Sequence, residues 1–483
     1  MGGELTNPNK LDKNVLSIYS IGDNSYGNIT YLNKKELNIT KLFIDNYYQC
    51  FAIDSYDNLY SWGLNNYYQL ANGKNSNYLF NNDETEARKR NENNFCILSS
   101  ESKSTISKAI GKIFYSQITF PIQVPKIKQI SFGDGFSLFL DNSGLVYSVG
   151  RNDKGQLGYE LSNNDAQFVD GVKCNPTVTC IDYFKNKEIK VGRVICGSDF
   201  CFAIEYIDDN NINDIHQTQE EIYSWGNNEL NQLGTEEKNY KYFFNPIKAT
   251  ILNKLLSQKH TRVSKLVCGW SHGCALLKNN EIYLWGNPFV EYNKNFKDIE
   301  IPININKLKN SSKIIDISSG FNHLAVLSLS PNKDNLTELY TLGANEFGQL
   351  GYDSEEVYID NLNKVNIPKS DINENLNITT VECGAYHTMV LMGNSLIYGF
   401  GQNNCQQVGR YKEGFLSTPK KWNHSLDCFF KNDIKTDEKV LTGIKCSNGI
   451  TCLLFKNKNQ LDDKKNNYNE YEINPENIPL KIV

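Results

Sequence analysis

The chain lacks several things that would narrow its role at once. No apolar run approaches the roughly twenty residues a membrane-spanning helix requires, and the polar N-terminus has no apolar core of a secretory signal. An intracellular location is therefore expected, cytoplasmic rather than nuclear. An excess of basic charge is also missing: 50 lysines and arginines stand against 55 acidic residues, for a net charge of −5. That balance does not favour a broad polyanion footprint, so direct nucleic-acid binding is not expected. The short cluster Arg88, Lys89 and Arg90 follows Asp83, Glu84 and Glu86 and reads as a solvated loop. The thirteen cysteines are odd in number and contain no Cys-x-x-Cys pair, which argues against a disulfide framework or a zinc site. No phosphate-binding G-x-x-x-x-G-K-[ST], G-x-S-x-G, H-E-x-x-H or EF-hand pattern occurs. The expectation is no catalytic residue, no metal and no cofactor.

What the chain does have is repetition. "IYSIGDNSYGNI" at 18 to 29 returns as "LYSWGLNNYYQLA" (59 to 71), "VYSVGRNDKGQLG" (146 to 158), "EIYSWGNNELNQLG" (221 to 234), "LYTLGANEFGQLG" (339 to 351) and "IYGFGQNNCQQVG" (397 to 409). "IYLWGNPFVEY" at 282 to 292 keeps the strand and loses the turn. Seven strand-like runs thus end on Gly22, Gly63, Gly150, Gly226, Gly286, Gly343 and Gly401. A second motif precedes them, as in "FGDGFSLFL" (132 to 140), "CGSDFCFAI" (196 to 204), "CGWSHGCAL" (268 to 276), "SGFNHLAVL" (319 to 327) and "CGAYHTMVL" (383 to 391), with weaker forms at 45 to 53 and 446 to 454. Their length, β-branched and aromatic content and polar turns predict paired buried strands.

Hairpin units too small to bury both faces alone stabilise one another when packed radially. The predicted fold is an all-β, seven-bladed β-propeller. The first glycine strand has no preceding partner and the last copy of the other motif has no following one. The N-terminal segment is therefore expected to pair with residues near 440 to 456 and close the ring. The expected domain layout is an N-terminal segment 1–13, the propeller over 14–456 with a long polar loop at 72–118, and a polar tail 457–483. The glycines are assigned an architectural role: one closes each strand, and a second lies five residues on at Gly27, Gly155 and Gly348. Tyr68, Asn231 and Gln406 occupy that second slot elsewhere, where the turn must persist under strain or shift.

His272, His323 and His387 each follow a motif glycine by three residues, but Phe136, Phe200 and Ile450 take the same place in other copies. Framework histidines are expected rather than acid/base or metal groups. Cys196, Cys268, Cys383 and Cys446 recur at one strand position and read as small buried hydrophobes. The opening "MGGELT" fits the N-myristoylation pattern at Gly2 and Thr6; chance is favoured, and a single acyl chain would bind membranes only reversibly.

The strand ending in Trp-Gly, the G-Q-L-G turn, a proline before the next unit (Pro121, Pro176, Pro246, Pro302, Pro368, Pro419) and the C-G-x-x-H strand together resemble the repeat of the regulator of chromosome condensation family. The resemblance covers residues 14 to 456. It implies a propeller that binds a protein partner as a non-catalytic regulatory platform. The alternative it carries is guanine-nucleotide exchange on a Ras-like small GTPase, the activity of the founding member. In that member a wedge replaces the tight turn of an early unit. Here the replaced turn is "NPFVEYNKNF" (287 to 296), after the fifth strand of its kind, and it offers Phe289 and Tyr292 as partner-binding candidates.

Overall fold

The computed structural model describes residues 17–22, 31–32, 39–44, 47–71, 73, 116–117, 126–208, 220–237, 239–288, 299–305, 313–330, 336–368, 376–393, 396–422 and 439–457. Two strands open the chain, β1 (Ser17–Gly22) and β2 (Tyr31–Leu32). A first sheet follows from β3 (Ile39–Ile44), β4 (Gln49–Asp54), β5 (Leu59–Gly63) and β6 (Ser116–Gln117). The second sheet comprises β7 (Ile127–Gly133), β8 (Phe136–Asp141), β9 (Val146–Arg151), β10 (Gln167–Val169) and β11 (Val172–Cys180), with β11 beside β9 and β10 at the outer edge. After helix α1 (Asp182–Asn186) the third sheet holds β12 (Val191–Cys196), β13 (Phe200–Glu205), β14 (Ile222–Asn227) and β15 (Tyr242–Lys248). Helix α2 (Thr250–Lys259) leads to the fourth, β16 (Val263–Cys268), β17 (His272–Leu277), β18 (Ile282–Gly286) and β19 (Ile299–Asn304). The fifth is β20 (Ile314–Ser319), β21 (His323–Leu329), β22 (Thr337–Ala344) and β23 (Tyr358–Lys364). The sixth is β24 (Ile378–Cys383), β25 (His387–Met392), β26 (Leu396–Gln402) and β27 (Phe415–Lys421). In the seventh sheet β28 (Lys439–Ser447) and β29 (Ile450–Asn457) are joined by β1 and β2 in the order β2-β1-β29-β28. β1 pairs antiparallel with β29 from Ser17↔Phe455 to Gly22↔Ile450.

These sheets make an all-β propeller. The inner strands β3, β7, β12, β16, β20, β24 and β28 lie nearest the axis, and each sheet packs its faces on its neighbours. That packing explains the second strand of every sheet. β4, β8, β13, β17 and β25 are buried along nearly their whole length, because both of their faces meet another sheet. Such strands read as continuous apolar runs rather than as alternation. The core is correspondingly a set of layers between sheets. Phe51, Phe132 and Phe139 join the first and second, and Leu454 of the seventh packs with Leu42, Ala52 and Trp62 of the first.

The two short helices depart from the all-strand expectation. In α2 the sequence "TILNKLLSQK" buries Leu252 and Leu256, four residues apart on one face. A second regular feature was not expected either. Every inner strand carries a register shift at the same level, between Ile39/Lys41, Ile127/Gln129, Val191/Arg193, Val263/Lys265, Ile314/Asp316, Ile378/Thr380 and Leu441/Gly443. A one-residue bulge of this kind bends and twists the strand.

Candidate partner-binding face

One face of the propeller carries the turns between the first and second strands of each sheet and the connections between the third and fourth. The repeat glycines stand where these meet. Gly63 and Gly286 end a third strand and Gly150, Gly226, Gly343 and Gly401 stand one residue before the end of theirs, all at positive φ, and Gly22 ends β1 opposite Ile450. Gly343 shows the reason: its φ is +115°, and a Cβ there would overlap the Asn322 carbonyl of the neighbouring turn.

Two residues beyond the glycine an asparagine organises the connection. Asn65, Asn152, Asn228, Asn345 and Asn403 accept through Oδ1 from the backbone N–H of Leu70, Leu157, Leu233, Leu350 and Val408, at 2.9 to 3.2 Å. A glutamine four residues later accepts through Oε1 from the N–H two residues before itself, as Gln156 does from Lys154 and Gln349 from Phe347. The turn is thus closed by side chains, so it survives without its second glycine. Tyr68, Asn231 and Gln406 hold that place at φ of +66°, +58° and +60°, in the left-handed region. The glutamine carbonyl then ties each sheet to the next: Gln156 accepts from Trp225 Nε1 at 3.0 Å, Gln232 from Trp285 Nε1 at 2.9 Å and Gln407 from Thr451 Oγ1 at 2.8 Å. Neither the asparagine nor this use of the glutamine entered the sequence reading. The signal was present as a constant Gly-x-Asn offset in six of the seven copies.

The three histidines are buried and hydrogen-bonded between sheets. Nε2 lies 3.0 Å from Ser319 Oγ in His272, 3.0 Å from Thr388 Oγ1 in His323 and 3.3 Å from Thr451 Oγ1 in His387. Each hydroxyl gives its own proton to a carbonyl, of Gly320, Gln349 and Gln407 in turn. With its proton so placed, each hydroxyl can accept from Nε2–H, and Nδ1 is buried. Burial pulls the pKa of His272 down to about 4 and that of His387 to about 3. Burial, with the neighbouring His387 and His272, pulls His323 to about 3. Each ring also packs on the motif glycine three residues earlier, where a Cβ would overlap the imidazole. That contact accounts for the C-G-x-x-H spacing.

Around the axis on this face the inner turns divide into two kinds. Trp270, Phe321 and Tyr386 come from the fourth, fifth and sixth sheets, and Tyr47 reaches them from the first. Phe321 has its ring centroid 4.9 Å from Trp270, 5.5 Å from Tyr386 and 5.5 Å from Tyr47. In the second and third sheets the inner turns instead present Asp134 and Asp199 to cations from the end of β9 and the connection after it: Arg151 forks onto Asp153 at 2.6 and 2.8 Å and also pairs with Asp134 at 2.8 Å, while Lys154 pairs with Asp199. Burial raises the Asp134 carboxyl above its ordinary range, the charges of Asp199 and Asp153 add to this, and Arg151 opposes it. Burial acts in the same sense on Asp153, but its bonds from Arg151 hold it below that range.

The outer rim of the same face sets four large apolar side chains among exposed polar and charged ones. Phe168 is 59% exposed, Tyr240 65%, Val357 48% and Phe415 51%, and all four lie in or next to connections between third and fourth strands. The opposite face shows Tyr56 and Tyr206 in connections between second and third strands. Phe289 and Tyr292 lie outside the described residues; the preceding Asn287 is buried and its N–H donates to the Ser271 carbonyl. Among the described residues no group of three or more His, Cys, Asp or Glu could hold a metal ion, no cysteine is in a disulfide, and no helix is long and apolar enough to cross a membrane.

A model of the regulator of chromosome condensation (RCC1) repeat matches residues 143–204, 219–276 and 338–391, and a second model of that repeat matches 127–156 and 378–407. The chain is 26% identical over 341 residues to the probable E3 ubiquitin-protein ligase HERC3 of Homo sapiens, covering 62% of this chain and 29% of that protein. It is 25% identical over 288 residues to the ultraviolet-B receptor UVR8 of Arabidopsis thaliana, covering 59% and 55%. It therefore spans less than two thirds of the length of either relative. Among solved structures, Prp20p of Saccharomyces cerevisiae superimposes with a TM-score of 0.61 at 17% identity, over 94% of this chain and 95% of that one. This last likeness is one of fold.

Proposed function

Because this chain belongs to the regulator of chromosome condensation repeat family, we propose that it is a non-catalytic protein-interaction propeller whose partner docks on the face of the inner turns. The seven sheets are read as seven blades of one ring, with β1 completing the last blade. The distribution of exposed apolar side chains supports the choice of face: Phe168, Tyr240, Val357 and Phe415 stand on four sheets around one rim. Aromatic anchors near charged groups are the usual makings of a protein-binding hot spot. The combined variant Phe168→Ala, Tyr240→Ala and Phe415→Ala should keep its fold and lose the partners that co-purify from the source cells. Tyr56→Ala, on the other face, should retain them. Loss in both, or in neither, overturns the assignment of the face.

A second reading is nucleotide exchange on a small GTPase. It draws on the family's founding activity, on the structure of Prp20p, described with its binding to Gsp1p and histones, and on the replaced turn that begins at Asn287. An exchange factor must be loosened by nucleotide as much as it loosens nucleotide. A complex with a Ras-like GTPase that forms on chelating Mg²⁺ and dissolves in excess GDP would establish this reading. Partners held regardless of Mg²⁺ and nucleotide support the platform.

A further inference from the structure

The bulges in the inner strands lie at the end of the propeller away from the partner face. At that level side chains reach across to the next sheet. Lys128 donates to the Gly192 carbonyl at 3.0 Å, Gln129 to that of Val194 at 2.8 Å, and Arg193 to those of Ser264 and Val263 at 2.9 Å. Farther round, Lys265 pairs with Asp316 at 2.6 Å, and Lys445 pairs with Glu382 at 2.7 Å. Charge there is balanced.

On the side formed by the first three sheets it is not. Lys41 of β3, Lys128 of β7 and Lys190 just before β12 make no ion pair among the described residues, and Arg193, bound to Glu220 at 2.6 Å, adds a fourth cation. Lys190 Nζ lies 4.4 Å and Lys128 Nζ 5.9 Å from the centre of the same Tyr206 ring, so the two ammoniums are within about 10 Å of each other. Burial, followed by the charges of Lys190, Arg193 and Lys41, lowers the pKa of Lys128, and no carboxylate is among the causes. A chain with net charge −5 has carboxylates to spare, yet it concentrates like charges here. Gathering unpaired cations opposes folding unless an anion completes the site.

We propose that this end of the propeller binds a compact anion carrying two or more phosphate groups, held by Lys128 and Lys190 around Tyr206 with Lys41 adding to the field. Two spaced ammoniums, with the charges of Arg193 and Lys41 also acting on Lys128, suit separate phosphates on one small body. Ammoniums bind phosphate as point charges on flexible stems and need no fixed planar partner. Such phosphates occur on soluble molecules and on lipid headgroups.

Calorimetric titration of the full chain with pyrophosphate and with inositol hexakisphosphate tests the soluble source. Flotation with phosphatidylcholine vesicles containing phosphatidylinositol bisphosphate tests the lipid source. Either source supports the site, provided binding weakens with added salt and falls about tenfold or more in the Lys128→Gln, Lys190→Gln double variant. Lys126→Gln, which removes a surface cation paired with Asp57, should leave binding unchanged. The double variant should also melt no lower than the wild type, since crowded charges are relieved. Absence of binding to every phosphate probe, equal binding by the double variant, or equally tight binding of a polyglutamate peptide would overturn the proposal.

Discussion

Acid should destabilise this propeller through His272, His323 and His387 well before most carboxylates titrate. In the folded state the three pKa values are lowered to about 4, 3 and 3, against about 6.5 in an unfolded chain. The unfolded chain therefore binds more protons throughout the interval between those values. Stability is fully present above pH 6.5 and is lost as the pH falls through that value towards the folded pKa values. At pH 5 an unfolded histidine gains about 2 kcal/mol from protonation relative to pH 7.5, while a folded one with pKa near 4 or below gains almost nothing. Three such residues give a loss of about 6 kcal/mol between pH 7.5 and pH 5, a large part of an ordinary protein's stability. The figure hardly depends on the folded values as long as they stay below about 4. The assay is urea unfolding across this pH range, comparing the wild type with a triple His→Phe variant. Phenylalanine already fills the same position at Phe136 and Phe200, and Thr388 and Thr451 keep their bonds to Gln349 and Gln407 after the change. Carboxylates act equally in both proteins and cancel. The wild type should lose about 6 kcal/mol more than the variant; equal pH slopes would refute the buried neutral histidines.

The remaining predictions concern the frame. Gly343→Ala should lower unfolding stability by about 3 kcal/mol, because it strains a left-handed residue against a fixed carbonyl. Gly73→Ala, also at positive φ but with nothing within 4 Å, should cost about 1 kcal/mol; equal effects would disprove the close approach as the cause. Asn345→Ala orphans the buried Leu350 N–H and should cost about 2 kcal/mol in the same assay, whereas a change under a few tenths would mean the asparagine does not close the turn. Deleting residues 1–22 removes β1 from between β2 and β29 and exposes an edge. A truncated chain that melts with the full one would show that this strand contributes nothing.

Local physics that repeats was legible in the sequence. A glycine needed at every third strand's end recurs because the same collision recurs, and the second strands read as apolar runs because both their faces are covered. The first strand without a partner pointed to the last motif, and β1 does lie on β29. The hydrogen-bonding role of the histidines followed from their replacement by phenylalanine in sister copies, but which hydroxyl each would meet did not, since the partner lies in the next sheet. α2 was missed for want of any repeat to frame it. The faces themselves were beyond sequence reading. Phe168, Tyr240 and Phe415 are scattered in the chain and share a rim only after the sheets are arranged about an axis. Lys41, Lys128 and Lys190 are likewise remote from one another and vanish in a net charge of −5. Electrostatic attraction and repulsion fall off with distance through space, so only the tertiary arrangement could turn three unremarked lysines into one concentrated field.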